Sequence, residues 1–95
     1  MPPRIVVVLN DPELADAAVS ALVAVGHNAL AVHDPMAALI LLQQARDVEL
    51  LVTSAFFSEG KPSGASLALM TKLRRPELKV IFAGHPQLAR LLPGY

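Results

Sequence analysis

The chain has 95 residues, of which 54% are hydrophobic and 17% are charged, and its mean hydropathy is +0.49. This length fits a single domain. The formal net charge is zero, so the chain lacks the surplus of lysine and arginine that binding to nucleic acid requires. Cysteine is absent, which excludes disulfides, thiolate nucleophiles and cysteine metal sites.

The apolar segments are too short to target the chain to a membrane. The longest unbroken one is Met36–Leu42, well below the length of a membrane span. The first one, Ile5–Leu9, is followed at once by Asn10 and Asp11, so it does not form a signal peptide. We therefore expect a cytoplasmic protein. The high apolar content favours a protein interface, with an alanine- and leucine-rich composition as the alternative.

The first predicted elements are a strand and a helix. The β-branched and aliphatic run Arg4–Leu9 predicts a strand buried on both faces. Asp11 is a good N-cap and Pro12 a good first helical residue for a helix over Pro12–Val25, which Gly26 ends. The apolar face of this helix is predicted to consist of Leu14, Ala17, Ala18, Ala21, Leu22 and Val25.

The next elements continue the alternation of strands and helices. Ala29–His33 predicts a weaker strand. Asp34 and Pro35 repeat the helix start, and the second helix is predicted over Met36–Arg46. Val48–Ser54 predicts a third, buried strand.

The last third of the chain begins with a predicted loop over Ala55–Ser63, which contains glycine, proline and serine. Gly64–Arg75 predicts the third helix, because Pro76 ends it. Lys79–Ala83 predicts the fourth strand, and a short helical piece is expected between Gly84 and Pro93.

Strands that alternate with helices predict an α/β domain with a parallel sheet. For four strands the flavodoxin-like order 2-1-3-4 is the natural one. In such sheets the site lies beyond the carboxyl ends of the strands, where the winding reverses. This rule points to Leu9–Asp11, Thr53–Ala55 and Gly84–His85.

The same segments resemble the receiver domain of response regulators over nearly the whole chain. Residues 4–14 resemble its first strand and the start of its first helix, and Gly26-His27 resembles the step into its second strand. Residues 49–54 resemble its third strand, and residues 74–82 resemble the end of its third helix and its fourth strand. The resemblance implies a signal-transduction module with the flavodoxin-like fold.

The departures from the family pattern fall on its chemistry. Aligned without gaps, the two metal-binding acids of the family fall on Leu9 and Asn10, whereas Asp11 keeps the third acid. The phosphoacceptor aspartate falls on Ser54, and the hydroxyl residue after the fourth strand falls on Gly84. The chain ends at residue 95, before a fifth strand with the lysine of the family or a fifth helix, so the resemblance implies a receiver that lacks both.

These substitutions predict a site without phosphorylation chemistry. Mg²⁺ prefers carboxylate oxygens, and Asp11 alone supplies one. Ser54 is a poor nucleophile without an adjacent base, and nothing replaces the metal and the lysine that would stabilise a transferring phosphoryl group. We therefore expect no enzyme activity, no metal and no cofactor, and Asn10, Asp11, Ser54 and Gly84 mark a remnant pocket.

Two other functions stay open on the sequence. One is a working receiver with an atypical phosphorylation site. The other is a small hydrolase that uses Ser54, His85 and Asp11, although the Gly-x-Ser-x-Gly elbow of such enzymes is absent. The three histidines lack zinc-ligand spacing.

The expected partner is a protein, and a homodimer is the simplest arrangement. The candidate interface consists of apolar residues in the second helix, the loop and the fourth strand, namely Leu39, Ile40, Phe56, Phe57, Ile81 and Phe82. The second helix is apolar all round, so either neighbouring elements cover it or it is a contact surface. The two phenylalanines either fold back and plug the empty acidic pocket, which we favour, or form an aromatic hot spot.

Overall fold

The computed structural model describes residues 3–54, 57 and 63–83. Strands and helices alternate through this part of the chain, as the sequence predicts. In chain order the elements are β1 (Ile5–Val8), α1 (Pro12–Ala24), β2 (Ala29–Ala31), α2 (Pro35–Gln44), β3 (Leu50–Ser54), α3 (Gly64–Arg74) and β4 (Lys79–Ala83).

The four strands form one parallel sheet in the order β2-β1-β3-β4, so the predicted flavodoxin-like, receiver-type topology is confirmed. Ile5 of β1 pairs with Ala29 of β2 on one side and with Leu50 of β3 on the other. Leu50 in turn pairs with Lys79 of β4. The chain therefore reverses its winding direction after β2, and the carboxyl ends of β1 and β3 meet at one edge.

The helices cover the two faces of the sheet unequally. Ile5 and Val7 of β1 point to the face that α1 covers, where Ala15 is buried with them. Val6 and Val8 point to the opposite face, where α2 and α3 supply a larger buried cluster. Two helices thus protect one face and a single described helix the other. The larger cluster consists of Val6, Val8, Ala38, Leu39, Leu42, Val48, Leu51, Leu67 and Leu78.

Each helix begins at a residue whose side chain bonds the first turn. The Asp11 carboxylate caps α1 and the Asp34 carboxylate caps α2, each directly before a proline, as predicted. Ser63 caps α3 through its hydroxyl, which accepts a hydrogen bond from the backbone N–H of Ser66 at 3.0 Å. Gly26 follows α1 with a φ of 95°, a conformation that favours glycine.

The predicted apolar face of α1 was wrong in part. Ala18 and Leu22 do pack on the sheet, but they do so with Ala15 and Val19, which were not on the predicted face. Leu14 is 57% exposed and Val25 is 72% exposed. Because α1 is rich in alanine and valine, its apolar residues surround most of the helix and do not define which side meets the sheet.

Arg75 makes a buried polar connection that the sequence did not reveal. It directly follows α3, and its guanidinium donates to the carbonyl oxygen of Ala45 at 3.0 Å, to that of Arg46 at 2.9 Å and to that of Val48. Its Nε also donates to the Glu77 carboxylate at 3.3 Å. Arg75 therefore satisfies carbonyl groups at and beyond the end of α2 and holds the α2–β3 connection against the end of α3.

Candidate functional site

The remnant pocket was predicted at the carboxyl edge of β1 and β3. An apolar side chain, that of Leu9, lies at this edge. Leu9 directly follows β1 and is only 5% exposed. It belongs to the buried cluster between the sheet and α1, together with Ile5, Val7 and Ala15. Leu9 therefore contributes packing, at the position that the sequence resemblance aligned with a metal-binding acid.

A hydrogen bond joins the two strand ends at this edge. The half-buried Ser54 ends β3, and its Oγ accepts from the backbone N–H of Asn10 at 2.9 Å. The Asn10 side chain is exposed. Two of the predicted pocket residues are thus brought together, and Ser54 interacts with a backbone amide of the neighbouring strand end.

Asp11 lies at the same edge, but its carboxylate serves the helix. Its Oδ1 accepts from the backbone N–H of Glu13 at 3.0 Å and from that of Leu14 at 3.4 Å. This is the N-cap geometry, which also places a negative charge at the positive end of the α1 dipole. The Asp11 carboxylate is therefore engaged in holding α1.

The start of α3 packs directly on the end of β3, and only glycine fits there. A methyl group on the α-carbon of Gly64 would overlap the carbonyl oxygen of Ser54 and lie 2.9 Å from Oγ1 of Thr53. The Thr53 hydroxyl is itself fully buried and donates to the Ser54 carbonyl oxygen at 3.0 Å. Gly64 thus sets how closely α3 approaches the end of β3, and this could not be predicted from the sequence because residues 53, 54 and 64 meet only in the folded chain.

The described side chains at this edge offer little acid–base or metal chemistry. Across residues 3–54, 57 and 63–83, no group of three or more histidine, aspartate and glutamate side chains could hold a metal ion. The Nε2 atom of His33, two residues after β2, contacts Oδ1 of Asp16 in α1 at 3.0 Å. Gly84 and His85, the remaining predicted site residues, lie outside the described part of the chain.

The candidate interface residues divide into three groups. The prediction that Leu39 is an interface residue was wrong. Leu39 is only 7% exposed and belongs to the core beneath α2. Ile40 and Ile81 are 54% and 50% exposed, so both are available for contact. Phe82 is half-buried.

The predicted behaviour of the two loop phenylalanines is tested for one of them only. Phe57 is half-buried and packs against the core cluster on the α2–α3 face, so this ring does fold back onto the domain. Whether it fills the pocket stays a prediction. Phe56 lies outside the described residues.

Comparison with solved structures supports the fold. The crystal structure of a response regulator receiver protein from Pseudomonas putida matches with a TM-score of 0.75 and 17% sequence identity, over 96% of this chain and 76% of that chain. A second structure, a fusion that contains amino acids 181–211 of the yeast Spc42 trimeric coiled coil, matches with a TM-score of 0.77 and 20% identity, over 100% of this chain and 66% of that one. At these identities the likeness establishes a receiver-type fold.

Two comparisons of sequence find no match. Neither a model of a protein family nor a curated protein matches the chain. Separately, no helix in the described ranges is both long enough and apolar enough to cross a membrane.

Proposed function

We propose that this chain is a receiver-like protein-interaction module in signal transduction that is not phosphorylated at the family's acceptor position and that self-associates. The receiver-type fold supports the general class. The observation that carries the proposal is the burial of Leu9, at 5% exposure, where a receiver holds a metal-binding acid.

The chemistry of the pocket residues supports the loss of phosphorylation. A transferring phosphoryl group carries negative charge that needs a cation or a strong donor beside it. The pocket offers the Ser54 hydroxyl, an amide side chain at Asn10, and the Asp11 carboxylate, which is occupied as a helix cap. One engaged carboxylate is a poor site for Mg²⁺, which requires several oxygen ligands in octahedral geometry.

The exposed apolar side chains support a binding role. Large apolar residues lie on the surface of every described helix and of the last strand, including Leu14, Met36, Ile40, Leu69, Leu73 and Ile81. On α3 three of them, Leu69, Met70 and Leu73, lie within about one turn of each other, and a cluster of exposed apolar side chains typically marks a contact surface.

Incubation with Mg²⁺ and a small acyl phosphate tests the lack of phosphorylation, with the intact mass as the readout. We expect no change in mass, and an active receiver treated in parallel serves as the positive control. A gain of one phosphate group that is lost in Ser54→Ala would overturn the proposal and establish the alternative of a working receiver. Ester hydrolysis that disappears in Ser54→Ala would likewise overturn it.

Light scattering on a sizing column over a wide concentration range tests self-association. We expect the mass to exceed that of one chain at high concentration. A strictly monomeric chain at every concentration would overturn this part of the proposal.

A further inference from the structure

A small cleft lies between the ends of α2 and α3. Both helices cover the same face of the parallel sheet and run back against the direction of its strands, so both end at its amino edge. The cleft has a volume of about 80 Å³, which holds several water molecules or a small anion. It is lined by Leu42, Gln43, Arg46, Thr71, Arg74 and Arg75. Half of these residues are arginines, and the cleft is at the opposite edge of the sheet from Ser54.

Arg75 forms the fixed, buried part of the cleft. Its guanidinium donates to three backbone carbonyl oxygens of the α2–β3 connection. Its charge is compensated, because Nε also donates to the Glu77 carboxylate at 3.3 Å. Carbonyl oxygens at a helix end would repel an anion, and Arg75 occupies those at the end of α2.

Arg46 and Arg74 bring unpaired positive charges to the cleft. Both are exposed, and neither forms an ion pair with a carboxylate in the described ranges. Neither α2 nor α3 contains an acidic residue. The pKa of Glu77 is lowered by a backbone hydrogen bond, by the hydrogen bond from Arg75 and also by the charge of Arg46, so Glu77 offsets part of this positive charge.

The lining of the cleft suits a phosphate group. A guanidinium presents its N–H groups in a planar fork that matches the oxygens of phosphate and of carboxylate. A phosphate monoester carries nearly two negative charges at neutral pH, so one such group matches two unpaired arginines, whereas one carboxylate does not. The side-chain amide of Gln43 supplies another donor. The Thr71 hydroxyl does not, because it donates to the carbonyl oxygen of Leu67 at 2.8 Å.

We propose that this cleft reversibly binds a phosphate group, with Arg46 and Arg74 as the charged donors and Gln43 as a neutral one. The phosphate stays on its carrier, and no bond is made or broken. The carrier is either a free small phosphate compound or a phosphorylated side chain of a protein, since both present the same group. The site is independent of the lost phosphorylation chemistry at the carboxyl edge of the sheet.

Titration of the full chain with inorganic phosphate, at an ionic strength held constant with chloride, tests the site. The arginine side-chain Nε–H signals in nuclear magnetic resonance spectra report the binding. We expect saturation with a dissociation constant on the order of 1 mM, because water competes for exposed arginines. Acetate is expected to bind at least about tenfold more weakly, because it carries a single charge.

Two single substitutions test the charged donors. Arg46→Gln and Arg74→Gln each remove one exposed guanidinium, so each is expected to weaken phosphate binding about tenfold, with unchanged thermal unfolding in phosphate-free buffer. Lys72→Gln is the matched control. It changes the net charge equally and lies in the same turn of α3 as Arg74, but it does not line the cleft. We expect it to alter binding by less than about twofold.

Glu77→Gln is expected to have the opposite effect on binding. It removes the negative charge that lies near Arg46 and Arg75, so phosphate should bind about twofold more tightly or better. Weaker binding in this variant would contradict an electrostatic site in the cleft.

The remaining outcomes decide between the cleft and a general attraction to positive charge. Signals that do not saturate, equal responses to acetate and phosphate, or equal weakening by Lys72→Gln and Arg74→Gln would each overturn the proposal. A phosphoserine peptide then distinguishes the carriers. Tighter binding than inorganic phosphate, lost without the phosphate and in Arg74→Gln, supports the site with a protein carrier, and equal binding supports it with a small phosphate compound.

Discussion

The α-carbon of Gly64 lies against the carbonyl group of Ser54, where an added methyl carbon would be 2.7 Å from the carbonyl carbon and would overlap its oxygen. The obstacle is backbone at the end of β3, which cannot move aside as a flexible side chain would. We expect Gly64→Ala to lower the free energy of unfolding by about 3 kcal/mol or more, because α3 must shift away from the sheet. Chemical denaturation measures this loss.

Gly26→Ala is the control for this substitution. Gly26 has a φ of 95°, but a methyl group there would meet nothing within 4 Å. Its cost is therefore conformational only, about 1–2 kcal/mol. Equal losses for the two variants would contradict a steric role for Gly64.

Replacement of Arg75 removes the donors that hold the α2–β3 connection. Arg75→Met keeps an unbranched apolar side chain but leaves the carbonyl oxygens of Ala45, Arg46 and Val48 without this partner. We expect a loss of about 2–4 kcal/mol in unfolding free energy.

The matched control is Arg74→Met, at the neighbouring and exposed arginine, for which we expect a change within about 0.5 kcal/mol. Similar melting temperatures for the two variants would show that the Arg75 hydrogen bonds contribute no net stability.

Because Asp11 acts as a helix cap, its substitutions are predicted to change stability in a specific order. Asp11→Asn keeps an oxygen that accepts from the backbone N–H groups of Glu13 and Leu14, so we expect stability close to that of the original chain. Asp11→Ala removes the acceptor and costs about 1 kcal/mol. Thermal unfolding of the two variants checks the order, and an asparagine variant as unstable as the alanine variant would contradict the capping role.

The Glu77 carboxylate predicts a small acid dependence of stability. A hydrogen bond with its own backbone and one from Arg75 hold the pKa of Glu77 below its ordinary value of 4.5. The ionised form therefore stabilises the folded state above that pH, and this contribution is lost as the pH falls through the lower pKa of the folded state. We expect the melting temperature of the original chain to exceed that of Glu77→Gln near neutral pH.

Below pH 4.5 the two melting temperatures should converge as the carboxylate of the original chain becomes protonated. A difference that persists unchanged into strong acid would mean that Glu77 acts through something other than its charge.

The topology could be predicted from the sequence because local signals agree with it at each step. Asp11 with Pro12, and Asp34 with Pro35, mark helix starts that the structure confirms. β4 was predicted at its observed bounds, Lys79–Ala83. The second helix ends at Gln44, two residues before the predicted end, and Arg75 donates to the carbonyl oxygens of Ala45 and Arg46 directly beyond it.

The features that the sequence did not reveal depend on residues far apart in the chain. In the sequence Arg75 is one of several cations at the end of a helix. Its hydrogen bonds to the α2–β3 connection are evident only from the folded structure. Leu39 could not be assigned to the core from α2 alone, because that helix is apolar on every side. The winding rule predicted that the ends of β1 and β3 meet, and Ser54 accepts there from the backbone N–H of Asn10, whereas a remnant pocket at this edge stays a prediction.

The position of β1 between β2 and β3 has a consequence for how the chain folds. Every strand pair in the described sheet is parallel, so none can form as a local hairpin, and each requires a helical crossover to close first. Closing those long segments costs entropy before the strand contacts return any stability. The domain is therefore expected to reach its native state more slowly than a helical bundle of the same length, with β1 gaining both of its neighbours only late in the reaction.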